Sequence, residues 1–164
     1  MAAAKGKTAY DFEFKSLQGK PMPLKAFRGQ PLLIVNTASK CGFTPQYKGL
    51  EAVWRKHKAD GLIVLGVPSN DFANQEPGGS DEIAEFCEIN FGVDFPLTEK
   101  VHVKGAKAHP LFQWVGAEGG FLARPRWNFY KYLIGRDGRL KTWFASVTSP
   151  DSAKFEAAVK KLVA

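Results

Sequence analysis

The sequence predicts an α/β fold with a central mixed sheet, helices on both faces and an N-terminal β-hairpin. Three observations predict it. Two short, continuous apolar runs, at 32–35 and 62–67, read as strands buried on both faces, as in a parallel pair. Between them lies a stretch with apolar residues at helical spacing, so the three segments form a strand–helix–strand unit with a right-handed crossover. Near the end of the chain, Arg-Asp-Gly-Arg at 136–139 separates two β-rich segments, a strong hairpin signal.

The elements follow in order. Gln-Gly-Lys at 18–20 lies between the extended segments 12–14 and 22–24, which predicts the first hairpin. After strand 32–35, Thr44 is placed to cap a helix with Pro45 at its first position. Leu50, Val53, Trp54 and His57 give that helix one inward face, and Asp60-Gly61 ends it. Strand 62–67 closes at Pro68, and a loop covers 69–79. Ser80, Asp81 and Glu82 open a helix with acidic residues at its positive end, and its apolar face holds Ile83, Phe86 and Cys87. A short strand is expected at 95–97 and a helix at 110–115, before the hairpin strands 127–134 and 140–145. Ser149-Pro150 is expected to start a final helix with Phe155, Ala158, Val159, Leu162 and Val163 inward. This order is a thioredoxin-like layout. No repeat, linker or low-complexity tract interrupts it, so a single domain over 1–164 is expected.

Composition narrows the function. The net charge is +7, but the 23 Lys and Arg are scattered and never form a run of five. A nucleic-acid protein concentrates its charge on a stripe or motif, so nucleic-acid binding is not expected. Two cysteines far apart are no secreted disulfide framework. His57, His102 and His109 lie in unrelated contexts without metal-ligand spacing. No stretch approaches a membrane span, and residues 1–7 lack the apolar centre of a signal peptide, so a cytoplasmic protein is expected.

A lone intracellular cysteine is a candidate nucleophile. Cys41 follows the buried strand 32–35, at the sheet edge where α/β proteins bind ligands, and precedes a helix N-terminus. Backbone N–H groups there, the helix dipole and neighbouring Lys40 all favour the thiolate, the reactive form. Location alone leaves open that Cys41 is merely a small loop residue.

The surrounding residues are more specific. Asn-Thr-Ala-Ser-Lys-Cys-Gly-Phe-Thr-Pro-Gln-Tyr at 36–47 closely resembles the peroxidatic-site signature of glutathione peroxidases. Gly-Val-Pro-Ser-Asn-Asp-Phe-Ala-Asn-Gln-Glu-Pro-Gly at 66–78 resembles the family's second signature, and Trp-Asn-Phe at 127–129 its third. The blocks occur in family order, and the likeness runs from about Tyr10 to Val163. With cysteine at position 41, where many members have selenocysteine, the chain resembles the cysteine-using branch.

The resemblance implies reduction of hydrogen peroxide and organic hydroperoxides, including lipid hydroperoxides, by thiols. Cys41 would be the nucleophile, and Gln75, Trp127 and Asn128 would complete the catalytic tetrad. The types fit the chemistry: the thiolate attacks one peroxide oxygen and becomes a sulfenic acid, while amide and indole N–H groups stabilise charge on the oxygens. Read alone, Gln75 is a solvated loop residue, Trp127 a core aromatic and Asn128 a backbone partner. No metal, flavin or haem cofactor is implied, because electrons come from glutathione or thioredoxin. A peroxide sensor that hands oxidation to a partner without turnover is the alternative.

The pattern departs from the family in one place: the usual Cys-Asn-Gln-Phe is Ser69-Asn70-Asp71-Phe72, so Asp71 is expected to alter local charge or substrate access. Two rivals lack their hallmarks. A peroxiredoxin has threonine where this chain has Ala38, and a thioredoxin-type exchanger has a second cysteine where it has Thr44. Tetrameric relatives carry a long insertion before Trp-Asn-Phe; the segment 116–126 is too short for it, which implies a monomer. Arg124, Arg126 and Lys131 flank the block and are candidates to attract anionic lipid headgroups or glutathione. Cys87 lies in the helical region where thioredoxin-dependent members keep a resolving cysteine, but one residue before the usual position. One residue is about 100° of helix rotation, so Cys87 reads slightly better as a core thiol. An external thiol is then expected to resolve Cys41, with a Cys41–Cys87 bridge as the alternative.

Overall fold

A computed structural model describes residues 6–164. The start of the chain, read above as lacking a leader, falls mostly outside them. The first hairpin forms as expected: β1 (Glu13–Lys15) pairs antiparallel with β2 (Pro21–Pro23) as a separate two-stranded sheet. The main sheet contains β3 (Leu32–Thr37), β4 (Ile63–Pro68), β5 (Lys131–Ile134) and β6 (Leu140–Phe144), in the order β4-β3-β5-β6. β3 and β4 run parallel, and β5 runs antiparallel to both β3 and β6, so the sheet is mixed.

Every residue of β3 is buried, as its unbroken apolar run requires. Side chains alternate across it. Leu32 and Ile34 join Leu65, Val67, Tyr132 and Ile134 in a core covered by α3 (Pro110–Gly119) and the N-terminal segment. Leu33 and Val35 join Val64 and Leu133 in a second core covered by α1 (Gln46–His57), α2 (Ser80–Phe91) and α4 (Ala153–Val163). Helices on both faces of a mixed sheet are the thioredoxin-like arrangement.

Several boundaries differ from expectation for identifiable reasons. Thr44 does not cap α1, which begins at Gln46; its hydroxyl is used by the preceding loop instead. Residues 95–97 make isolated bridges rather than a strand, and Leu97 lies so close to Gly66 that a Cβ there would collide with it. β5 starts at Lys131 rather than 127, because Phe129 adopts a left-handed backbone with φ of 64° that interrupts extended structure. α4 is capped by Ser152, whose hydroxyl accepts the Phe155 N–H at 3.2 Å, while Ser149 donates to Asp151. None of the described helices is long and apolar enough to cross a membrane.

Candidate active site

Three connections meet at one end of the sheet. Parallel β3 and β4 end there at Thr37 and Pro68, releasing the Cys41 loop and the 69–79 loop. Antiparallel β5 begins at the same end, since Lys131 pairs with Val35, so Trp127 and Asn128 enter there too. The topology alone therefore gathers residues from distant parts of the sequence.

The Cys41 loop is internally braced. The Cys41 N–H donates to Thr44 Oγ1 at 2.9 Å, and the Thr44 hydroxyl donates to the Ala38 carbonyl at 2.8 Å. Thr44 N–H returns to the Cys41 carbonyl at 3.0 Å, closing a tight turn that continues into α1. The Phe43 N–H points at Cys41 Sγ at 3.4 Å. Only 7% of Cys41 is exposed.

Gln75 and Asn128 meet directly, for Asn128 Nδ2 donates to Gln75 Oε1 at 2.9 Å. The backbone of Gln75 is tied to the cysteine loop, because the Lys40 N–H donates to its carbonyl at 2.9 Å. Ala73 and Asn74, just before it, both hold left-handed backbones (φ of 56° and 53°). Such conformations cluster where surrounding structure enforces them. Asn36 enforces the third connection: its side chain donates to the Trp127 carbonyl at 2.8 Å and accepts the Tyr130 N–H at 3.0 Å, while its own carbonyl accepts from Phe129 at 2.6 Å. The Trp127 ring packs on Phe72, centroids 5.7 Å apart, and borders both cores.

Gln75 accepts from Asn128 through its oxygen, so its NH₂ group stays uncommitted, and the Trp127 indole N–H has no partner among the described residues. Asn128 is wholly buried, with Oδ1 unpartnered. Asn128 therefore spends an N–H on orienting Gln75, a division of labour the sequence did not reveal. The bracing residues Thr44 and Asn36 were missed as well; the one signal for Asn36 was a polar residue closing an apolar strand.

Other candidates fall elsewhere. Cys87 is 1% exposed in the middle of α2, in the same apolar core as Cys41, and burial pushes its thiol up to about 11 despite a hydrogen-bonding pull from Tyr47. Asp71 is engaged within the protein: its carboxylate accepts from the Val103 and Lys104 N–H groups at 2.7 and 3.2 Å and meets His102 Nδ1 at 2.8 Å. Although burial opposes it, these bonds hold the Asp71 carboxyl below the usual range. Ser69, in place of a cysteine, is buried and accepts the Asp71 N–H at 3.2 Å. Lys131 overturns its assignment as a headgroup contact. It is 0% exposed, with its ammonium donating to the Ala145 and Ser146 carbonyls.

A braced cysteine at the carboxyl end of a parallel strand, on a thioredoxin-like sheet whose same end gathers Gln75, Trp127 and Asn128, fits the class of thiol-dependent oxidoreductases. Comparison with known proteins makes this specific. The glutathione peroxidase family model matches residues 9–116. The hydroperoxy fatty acid reductase gpx1 of Synechocystis is 46% identical over 171 residues, covering 99% of this chain and 100% of that protein. The glutathione peroxidase-like peroxiredoxin gpx1 of Schizosaccharomyces pombe is 46% identical over 144 residues, covering 87% and 91%. The crystal structure of Trgpx in its apo form superposes with a TM-score of 0.78 at 36% identity, over 97% of each chain. The chain belongs to the glutathione peroxidase family, and it is a thiol peroxidase.

Proposed function

We propose that Cys41 reduces hydrogen peroxide and organic hydroperoxides as the peroxidatic nucleophile. The thiolate sulfur attacks one peroxide oxygen and the O–O bond breaks. The other oxygen leaves as water or alcohol after taking a proton, and Cys41 becomes a sulfenic acid. Two reductant thiols then return it to the thiol, releasing water and a disulfide. Gln75 and Trp127 supply N–H donors to the departing oxygen, and Asn128 holds Gln75 in register. The hydrogen-bonded pair of Gln75 and Asn128, tied to the cysteine loop through Lys40, carries this reading.

Resolution falls to an external thiol, glutathione or thioredoxin. Cys87 is a poor internal candidate, since its thiol is buried in the core and keeps its proton at neutral pH. Organic substrates suit the surface beside the Trp127 connection. Phe121 and Leu122 are 75% and 58% exposed there, near Arg124 and Arg126, a pairing of apolar and cationic groups that suits weak contact with anionic lipid. A relative named for hydroperoxy fatty acids supports the same substrate class. The protein acts as a monomer.

The test is one equivalent of peroxide in the presence of a sulfenic-acid trap, followed by peptide mapping. The adduct is expected on Cys41. Adduct confined to Cys87 would overturn Cys41 as the nucleophile; a stoichiometric Cys41–Cys87 disulfide, with thioredoxin turnover lost in Cys87→Ser, would replace the external thiol by an internal one.

A further inference from the structure

Lys131 is fully buried on the sheet, its side-chain nitrogen turned inward. Its Nζ donates to the carbonyls of Ser146 at 3.1 Å and Ala145 at 3.4 Å, and among the described residues it has no carboxylate partner. Burying an unpaired cation is costly, so its retention asks for a reason. The acceptor it grips is informative. The Ser146 carbonyl also accepts Gln46 Nε2 at 2.8 Å, while the Ser146 hydroxyl donates to the Asn128 carbonyl at 2.5 Å. Asn128 in turn donates to Gln75. A continuous run of hydrogen bonds thus leads from a buried charge to the paired amides, through the Ala145–Ser146 turn.

We propose that Lys131 is a positioning residue for Asn128, clamping the Ala145–Ser146 turn so that Ser146 fixes the Asn128 backbone and, through it, the Gln75 amide. The clamp uses charge-assisted donors, which are stronger than neutral ones and hold two carbonyls at once. Without it, the turn keeps the Gln46 bond to the Ser146 carbonyl and the Thr148 N–H bond to the Ala145 carbonyl but loses its charged donor, and the amide pair drifts from its reacting geometry. This inference rests on the role proposed for Asn128.

The clamp is also sensitive to pH. Burial alone pushes the Lys131 ammonium down to about 7. Across the sheet it is paired with Val35 of β3 and Phe144 of β6, neither of which titrates. α1 contributes Gln46 and Tyr47, together with Glu51 bound to Arg55 and the Asp94 N–H, and His57 beside Asp60. Lys154 of α4 lies over the Phe144 ring at 5.5 Å, and Cys41 and Cys87 belong to the same apolar core. None of these acids is paired with Lys131, so loss of its proton weakens the clamp.

The experiment measures Cys41 oxidation by hydrogen peroxide in stopped flow for wild type, Lys131→Met, Lys131→Gln, Ser146→Ala, Asn128→Ala and the Lys131→Met/Ser146→Ala double variant. Thermal melts confirm that each is folded at assay temperature. Lys131→Met and Ser146→Ala should each slow oxidation by about ten-fold or more, and the double variant should be no slower than the worse single. Lys131→Gln, still a donor, should recover most of the loss. The ¹⁵N resonance of the Asn128 side-chain amide should titrate near pH 7 in wild type and lose that transition in Lys131→Gln. If Asn128→Ala is slow but Lys131→Met reacts at the wild-type rate, this inference fails alone. If Asn128→Ala reacts at the wild-type rate, the role of Asn128 fails and the inference with it. Additive losses in the double variant would also overturn it.

Discussion

Asn128 and Gln75, 53 residues apart, share one hydrogen bond of 2.9 Å that leaves the Gln75 NH₂ group free. Two amides in contact form a unit, so removing either disorders both. Loss of a preorganised donor costs about 2.7 to 4 kcal/mol of barrier. Gln75→Ala and Asn128→Ala are each expected to slow Cys41 oxidation by roughly that amount. The double variant should lose far less than the sum, because residues in contact couple. Stopped-flow oxidation of the three variants decides it, and full additivity would show that the two side chains act separately.

Thr44 secures the cysteine loop through one hydroxyl that accepts from Cys41 N–H and donates to the Ala38 carbonyl. Thr44→Val keeps the shape and strands a buried donor and a buried acceptor, at about 1–3 kcal/mol each. Lower urea stability together with slower oxidation is the expected pair of results. A variant as stable and as fast as wild type would mean the brace is dispensable.

Cys87 and Cys41 should separate by alkylation. Burial holds the Cys87 thiol protonated up to about 11. Iodoacetamide at pH 8 is expected to modify Cys41 and to spare Cys87 until the protein unfolds, as read by peptide mass. The same raised value stabilises the fold below the unfolded thiol's pKa, a contribution lost as pH rises through 11. Prompt labelling of Cys87 in the folded protein would contradict its place in the core.

Lys131 contributes in the opposite sense. In the folded chain it is neutral above about 7, whereas the unfolded chain keeps that proton to about 10.4. Between those values the unfolded state binds more protons, so stability rises with pH. Relative to Lys131→Met, wild type should gain on the order of 3 kcal/mol between pH 7 and 10 in urea unfolding. The comparison cancels Cys87, which both proteins retain. Parallel pH curves would mean that the ammonium is not held down.

The sequence carried the architecture because burial leaves periodic marks. The unbroken apolar run of β3 and the helical spacing of Leu50, Val53 and His57 each follow from one face meeting the core. The site residues were legible only through motif resemblance; Gln75 alone is an ordinary loop glutamine. Hydrogen bonds between distant segments were not legible at all. Thr44 looked like a helix cap because local spacing cannot show that Ala38 folds back onto its hydroxyl. Lys131 looked exposed because a lysine beside two arginines resembles surface charge, and only strand pairing with Val35 and Phe144 turns it inward. Phe129 ended the strand early through a backbone angle that no composition rule anticipates for phenylalanine.

The most direct test of the account is peroxide consumption by Cys41→Ser under saturating thiol reductant, with Cys87→Ser measured in parallel. Cys41 carries the sulfur that must attack the peroxide, so Cys41→Ser should show no turnover above background while remaining folded, and Cys87→Ser should retain turnover. Near wild-type consumption by Cys41→Ser would contradict the assignment of the nucleophile and every role built around it.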